Sequence, residues 1–525
     1  MKRRDFLKAT PAAASLAFMM NGLPISTYAS HPLLEMLAKQ TATLGKVLVV
    51  IQLNGGNDGL NMVIPIDQYS NLSNARGNVL IPQNKVLALS NTSLTGLHPS
   101  MTRIQDMYSN GLVNITQAVC YPNPNFSHFR ATDIWLTASD SNQYLDTGWL
   151  GRYLDLKYPG YPNGYPSTTM PDPLAIQIGS GVSTVLQGAQ VNTGMAISNI
   201  NNFYNLVNSY VDPAPSTPAG HELTFLRYIA QQTETYNKVI KDAAAKANNL
   251  STLYPTGNSL ADQLKIVARL IAGGLQTPIY IVSLGGFDTH SDQVDAADHT
   301  IGAHATLMQK LSEAVYAFFD DAKLLDFQGR VAAMTFSEFG RRVKSNASGG
   351  TDHGTGAPVM VFSPHVNPGL IGSNPVIPPT TTVNDNVAMQ HDFRSVYASV
   401  LADWFELDIN DVNNLLMDTF PILPIFRNAN NVKNTEENGS IEILQQNFPN
   451  PFSSSTTFTF NSDGGNVRIQ MFDATGRMVR EITNKQYDRG SHQITIDRGS
   501  LAPGQYFMTL TNGNNKATRR MTIVN

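Results

Sequence analysis

The chain has 525 residues, 42% of them hydrophobic and 14% charged, with a net charge of -4. That length exceeds one ordinary domain, and the composition is that of a folded soluble protein rich in neutral polar loops. The small negative charge excludes broad attraction to nucleic acid or anionic membrane, and the single cysteine, Cys120, excludes an internal disulfide or a thiolate zinc cluster. Cys120 reads instead as a small buried apolar residue.

The N-terminus opens with Lys2, Arg3 and Arg4, then Asp5-Phe6-Leu7-Lys8, and continues through small and apolar residues to Met20. That is the charged-then-apolar layout of an export signal. The Arg3-Arg4 pair resembles the twin-arginine signal, which implies the twin-arginine translocase as a partner. Thr27-Tyr28-Ala29 suits a cleavage site, so residues 1–29 read as a signal peptide. No apolar run is long enough for a transmembrane helix.

Lys46 to Leu53 is a continuous apolar run, the signature of a parallel strand buried on both faces. It ends in Asn54-Gly55-Gly56-Asn57-Asp58, a glycine-rich turn with an acid. Open α/β sheets bind ligands at such strand ends, which makes Asp58 a candidate metal ligand and, equally, a turn aspartate. A helix is expected from Leu97 to Met107 and a strand over Val113–Val119. A second helix should begin near Ser127, within Phe126-Ser127-His128-Phe129. Serine there serves as an N-cap, and it also suits a nucleophile, because exposed amides and the helix dipole favour negative charge. His128 beside it is a further ligand or substrate-binding candidate.

Residues 160–208 read as loops with a short strand over Leu174–Ile178. Helices are expected over Glu222–Asn249 and Leu260–Ala272. The strand Pro278–Leu284 ends in Gly285-Gly286-Phe287-Asp288-Thr289-His290, where alternation puts Asp288 and His290 on one side. A following helix carries His299 and His304, read as surface residues. The strand Val331–Phe336 leads to Glu338, expected to orient a ligand or pair with Arg341 or Arg342, and Arg341 could hold an anionic substrate. Gly349-Gly350-Thr351-Asp352-His353-Gly354 then offers a carboxylate and an imidazole in a flexible turn, before the strand Pro358–Phe362. His391, at the start of an amphipathic helix over 389–405, is the last nitrogen candidate. Three acid-bearing loops after buried strands, with two histidines among them, suit a pair of divalent ions.

Five stretches occur in order: Asn54-Gly55-Gly56-Asn57-Asp58-Gly59, Phe126-Ser127-His128-Phe129, Gly285-Gly286-Phe287-Asp288-Thr289-His290, Ser337-Glu338-Phe339-Gly340-Arg341 and Gly350-Thr351-Asp352-His353-Gly354. Together they resemble domain-of-unknown-function family 1501 over residues 46–420, which is similar in turn to the alkaline phosphatase and sulfatase superfamily. The resemblance implies a doubly wound, mainly parallel sheet, one or two divalent metals (Zn, Mg, Mn or Ca) and a serine or threonine nucleophile. It would put Asp58, Asp352 and His353 on one metal with Ser127 as nucleophile, and Asp288 and His290 on the other. The chain departs from the superfamily in spacing Asp288 and His290 so closely.

Residues 428–440 are polar and turn-rich, a linker. From 441 to 525, short alternating runs such as Val467–Asp473 and Leu501–Leu510 with Gly and Pro turns argue a small β-sandwich. The order of these phrases resembles the C-terminal sorting domain of the type IX secretion system, which implies that machinery as a partner. The expected architecture is thus a signal peptide, an alkaline-phosphatase-like α/β domain over 46–427, a linker and a sorting sandwich. The expected product is an exported metal-dependent phosphate or sulfate ester hydrolase, acting on a small-molecule or glycan ester and passing through the periplasm to the cell surface or beyond. The alternative is a non-catalytic surface protein that keeps the fold for ligand binding or structure.

Overall fold

The computed structural model describes residues 45–198, 217, 236–427 and, nearer the C-terminus, 444, 447, 450, 452–462, 464–473, 477–513 and 515–524. The expected signal peptide, the linker and the first part of the helix over Glu222–Asn249 lie outside the described residues. Its last part, 236–246, is helical. By its contacts the chain divides between Arg427 and Asn428.

The larger unit is built on a nine-stranded mixed sheet. In chain order its strands and an adjoining hairpin are β1 (Val47–Asn54), β2 (Val113–Cys120), β3 (Ala175–Ile178), β4 (Gly194–Ile197), β5 (Ile279–Gly285), β6 (Val331–Phe336), the hairpin β7 (Arg341–Ser345) and β8 (Thr351–His353), β9 (Ala357–Phe362), β10 (Gly369–Ile371) and β11 (His391–Asp392). The order across the sheet is β10-β2-β9-β6-β1-β5-β3-β4, with β11 also on β2. Strand β1 lies parallel between β5 and β6, as its unbroken apolar run requires. Strand β9 alone runs antiparallel, to both β2 and β6.

Four helices matter for the site: α1 (His128–Thr137), α2 (Ser259–Ala272), α3 (Ala303–Leu324) and α4 (Phe393–Ser399). Side chains of β1 alternate between two cores. Val47, Val49, Ile51 and Leu53 pack with Leu264 of α2 and Phe318 of α3. Leu48 and Val50 share the opposite core with Ile134 of α1 and Tyr397 of α4. The sheet is therefore covered on both faces, and its strands can end only at its edges. Because β2, β6, β1 and β5 point the same way, the loops after all four gather at one edge.

The expected helix over 389–405 is instead a β11 pair, helix α4 and a π-helical turn over Val400–Trp404, with Asp392 capping α4. Cys120 is buried, and burial pushes its thiol up to about 11. Among the described residues, no helix is long and apolar enough to cross a membrane.

The smaller unit has six strands in two antiparallel sheets: Ser455–Ser462 with Gly490–Asp497, and Gly465–Asp473, Met478–Tyr487, Gly504–Asn512 and Asn515–Ile523. Phe458, Phe460 and Ile496 from the first share a core with Val467, Ile469, Leu510 and Ile523 from the second.

Candidate metal centre

The four gathered loops converge on Asp288. The loop after β1 approaches it so closely that a Cβ on Gly55 would stand 2.3 Å from the Asp288 amide nitrogen, and Gly55 holds φ +124. Only glycine serves there. The Gly55 N–H donates to Glu338 Oε1 at 2.8 Å, joining the β1 and β6 loops.

Three imidazoles face the Asp288 carboxylate, and acceptor partners fix the tautomers of two of them. His353 Nδ1 lies 2.8 Å from the Phe126 carbonyl, which can only accept, so Nδ1 carries the proton. Its Nε2 lone pair then points at Asp288 Oδ1, 3.2 Å away. His128 repeats the arrangement: Nδ1 donates to Glu338 Oε1 at 2.9 Å, and Nε2 lies 3.5 Å from Asp288 Oδ2. His290 has acceptors on both sides: Nδ1 lies 3.2 Å from Asp352 Oδ1, and Nε2 lies 3.2 Å from Asp288 Oδ1 and 2.8 Å from His353 Nε2. The Nε2 lone pairs of His353 and His128 thus face the Asp288 carboxylate, which is unfavourable unless a proton or a metal cation sits among them. Ligand atoms of His128, Asp288 and His353 lie within 4.8 Å of one another. A ring proton given outward to a carboxylate or carbonyl is also what orients and sharpens a metal-binding histidine. The residues fit a divalent ion.

Electrostatics keep Asp288, Asp352 and His353 in forms that can hold a cation. Burial works to raise the Asp288 carboxyl but is outweighed by the Arg341 guanidinium, which holds it down at about 2. A hydrogen bond from Asn346 leads in lowering Asp352. Burial lowers His353 below the usual imidazole range, so it is neutral at pH 7.

Asp58 is not among these residues. It is 1% exposed, and both oxygens are taken: Oδ1 by Arg76 Nη1 at 2.9 Å, Oδ2 by Gln293 Nε2 at 2.6 Å. Burial raises this carboxyl, but Arg76 prevails and the group stays ionised. The expectation that Asp58 meets Asp352 and His353 on one metal is corrected, because its charge is neutralised behind the site. It acts on the site through Gln293, whose Oε1 accepts from Thr289 at 3.1 Å and Thr351 at 2.7 Å. Those threonines precede His290 and Asp352, so one buried amide clips the two ligand loops together.

Arg341 is also corrected as a substrate-binding candidate. It is 1% exposed, and its guanidinium donates to Asp288 Oδ1 at 2.8 Å and to the carbonyls of Gly55, Gly56, Phe287 and Thr351. Glu338 pairs with neither arginine and instead orients His128. His391 lies at the far side of β2, its Nε2 buried without a partner, and touches none of the cluster. His304 is fully buried in α3, with Nε2 at 3.1 Å from Asn57 Oδ1, rather than on a helix surface. His299 precedes that helix, its Nδ1 on the Leu80 carbonyl.

Ser127 is exposed and is the N-cap of α1, yet its side chain makes no capping bond. Its neighbours are both fixed to the centre: the Phe126 carbonyl holds His353, and the His128 ring faces Asp288. Sequence reasoning missed Gln293, Thr289, Thr351 and Asn346. Asn346 donates to the His290 carbonyl at 2.8 Å and to Asp352 at 3.0 Å. None of the four carries a sequence signal, since amides and hydroxyls in polar loops are ordinary.

A cavity of about 520 Å³ opens beside the centre, with His128, Asp288 and Glu338 in its wall.

Residues 227–413 match the family described as "Protein of unknown function (DUF1501)", and residues 446–524 match "Secretion system C-terminal sorting domain". The first match contains Asp288, His290, Glu338, Asp352 and His353, while the Asp58 and Ser127 stretches precede it. The sorting domain implies export to the cell surface or the extracellular space. No curated protein matches the chain. Among solved structures, a Bacteroides thetaiotaomicron protein from a core genetic locus for metabolism of multiple glycosaminoglycans is similar at 10% identity. That likeness covers 91% of this chain and 89% of that one, with a TM-score of 0.32. A protein in the alkaline phosphatase superfamily from Vibrio parahaemolyticus is similar at 10% identity over 85% of this chain and 83% of that one, TM-score 0.32. PorZ, a surface component of the type-IX secretion system of Porphyromonas gingivalis, is similar at 14% identity over 15% of this chain and 11% of its own, TM-score 0.12.

Proposed function

We propose that this exported chain is a metal-dependent hydrolase of phosphate or sulfate esters with Ser127 as its nucleophile. One observation carries the reading: three imidazole nitrogens converge on the Asp288 carboxylate, and Asp288 and His128 stand in the wall of a cavity. His128, His290, His353 and Asp288 would hold the ion, and nitrogen donors with one carboxylate suit a zinc-like divalent metal. Bound there, it would supply polarisation of the ester and charge for the developing oxyanion.

The chain's own residues do the rest. Glu338 and the Phe126 carbonyl hold His128 and His353 in their binding tautomers, and Asp352 lies within reach of His290 Nδ1. The start of α1 presents the Ser127 hydroxyl next to His128, where the helix dipole favours an anionic ester group. Attack by Ser127 Oγ on phosphorus or sulfur expels the alcohol and leaves an enzyme ester, which water then cleaves.

The test is metal analysis of the purified chain, followed by turnover of p-nitrophenyl phosphate and p-nitrophenyl sulfate, with Ser127→Ala as control. Stoichiometric metal and turnover lost in the variant support the proposal. A metal-free protein at neutral pH, or equal rates for parent and variant, would sink it.

A further inference from the structure

The cavity beside the metal centre has a wall of its own that the ester chemistry does not use. Phe129, Thr132, Asp133 and Leu136 all line it, at the i, i+3, i+4 and i+7 positions of α1, so one helix face forms that side. The helix buries its other side, with Ala131, Ile134 and Trp135. Here Phe129 is 90% exposed, an aromatic ring left bare at a cavity rim. Gln52 and Asn54, from the end of β1, also line it. Among the described residues, no lysine or arginine lines the cavity, whereas Asp133, Asp288 and Glu338 do. Asp133 is paired with Arg130, which lies outside the lining.

We infer that this cavity is a sugar subsite, taking an uncharged hexose as the alcohol part of the ester. The inference deepens, and rests on, the reading of the centre as an ester hydrolase. A sugar ring presents one apolar face of C–H groups, which an exposed aromatic ring covers, and a rim of hydroxyls, which amides and hydroxyls satisfy. The volume lies within the about 300–1,000 Å³ span of small-ligand clefts. The charge balance sets the selectivity. The ester's own anionic group is met at the metal end, and a second anion on the sugar would meet carboxylates but no lysine or arginine in the lining. Uronic acids and multiply charged sugars are therefore excluded, and neutral hexoses are admitted.

The experiment reads binding without turnover. The purified chain, with chelator present, is titrated by calorimetry and by saturation-transfer NMR with methyl glycosides of glucose, galactose, mannose and N-acetylglucosamine, and with methyl glucuronide. At least one neutral glycoside is expected to bind, the glucuronide not to, and Phe129→Ala to weaken binding about tenfold with an unchanged circular dichroism spectrum. Since Phe129 is solvent-exposed, its removal leaves the core intact. Binding of no neutral glycoside, equal binding of the glucuronide, or full affinity in Phe129→Ala would overturn the subsite. Sugar binding that depends on Phe129, in a protein without ester turnover, would instead overturn the hydrolase reading and leave the subsite standing. Turnover without sugar binding does the reverse.

Discussion

Glu338 and Asp58 are both buried acids at strand ends, and their partners give them opposite work. Glu338 accepts from His128 Nδ1 and from the Gly55 amide, so it fixes a ligand ring and a loop at once. Asp58 faces Arg76 and Gln293 and never reaches a ligand. Glu338→Ala is expected to lower metal affinity about 10–100-fold, the usual effect of losing an outer partner of a ligand histidine. Asp58→Ala leaves Arg76 as an uncompensated buried charge and is expected to cost about 3–5 kcal/mol of stability. Metal titration and denaturant unfolding of both variants separate the roles. Loss of metal binding without loss of stability in Asp58→Ala would return Asp58 to the ligand set. The sequence named both acids as candidates, but could not tell them apart. The distinction lies in Arg76, a residue with no motif, 18 positions from Asp58 in the chain.

At the scale of elements, the β7–β8 hairpin decides which groups meet at the centre. It carries Asp352 and His353 to a loop that follows a different strand, and it docks there through Gly350. A Cβ on Gly350 would stand 2.3 Å from the carbonyl carbon of His290, well inside any contact distance. Gly350→Ala must therefore push the hairpin off the β5 loop, separating His353 from Asp288 and Asp352 from His290. Metal affinity is expected to fall at least about tenfold, read by competition with a chromophoric chelator; unchanged affinity would mean that the hairpin is not positioned by this contact. Strands β1, β5 and β6 were legible because near-continuous apolar runs betray burial on both faces. Their loops were legible because glycines and acids cluster after them. What stayed hidden was pairing between loops. His128 joining His353 and His290 around one carboxylate is a product of sheet order, and local sequence carries no register across 160 residues. The same limit made His304 look like a surface residue, since its helix packs a polar face against Asn57 rather than against solvent.

For the molecule as a whole, acid is the condition that exposes how the body is built. His98 and His304 are buried with their rings 5.8 Å apart. Burial depresses both, His98 to about 3 and His304 to about 4, from an ordinary value of 6.5. The unfolded chain therefore takes up protons below pH 6.5 that the folded chain refuses. Stability rises with pH wherever the unfolded state binds more protons, so it is full above 6.5 and is lost as pH falls toward 4. Each withheld proton contributes a slope of up to about 1.4 kcal/mol per pH unit. All three tryptophans, Trp135, Trp149 and Trp404, belong to the larger unit, so their fluorescence reports its unfolding without interference from the C-terminal strands. Urea unfolding followed at tryptophan wavelengths between pH 7 and pH 4 should show the midpoint falling steadily. His304→Gln, which keeps a donor for Asn57 and removes the titrating ring, should flatten that dependence by about one proton. An equally steep dependence in the variant would place the acid sensitivity elsewhere, among the carboxylates that Arg76 and Arg341 hold ionised.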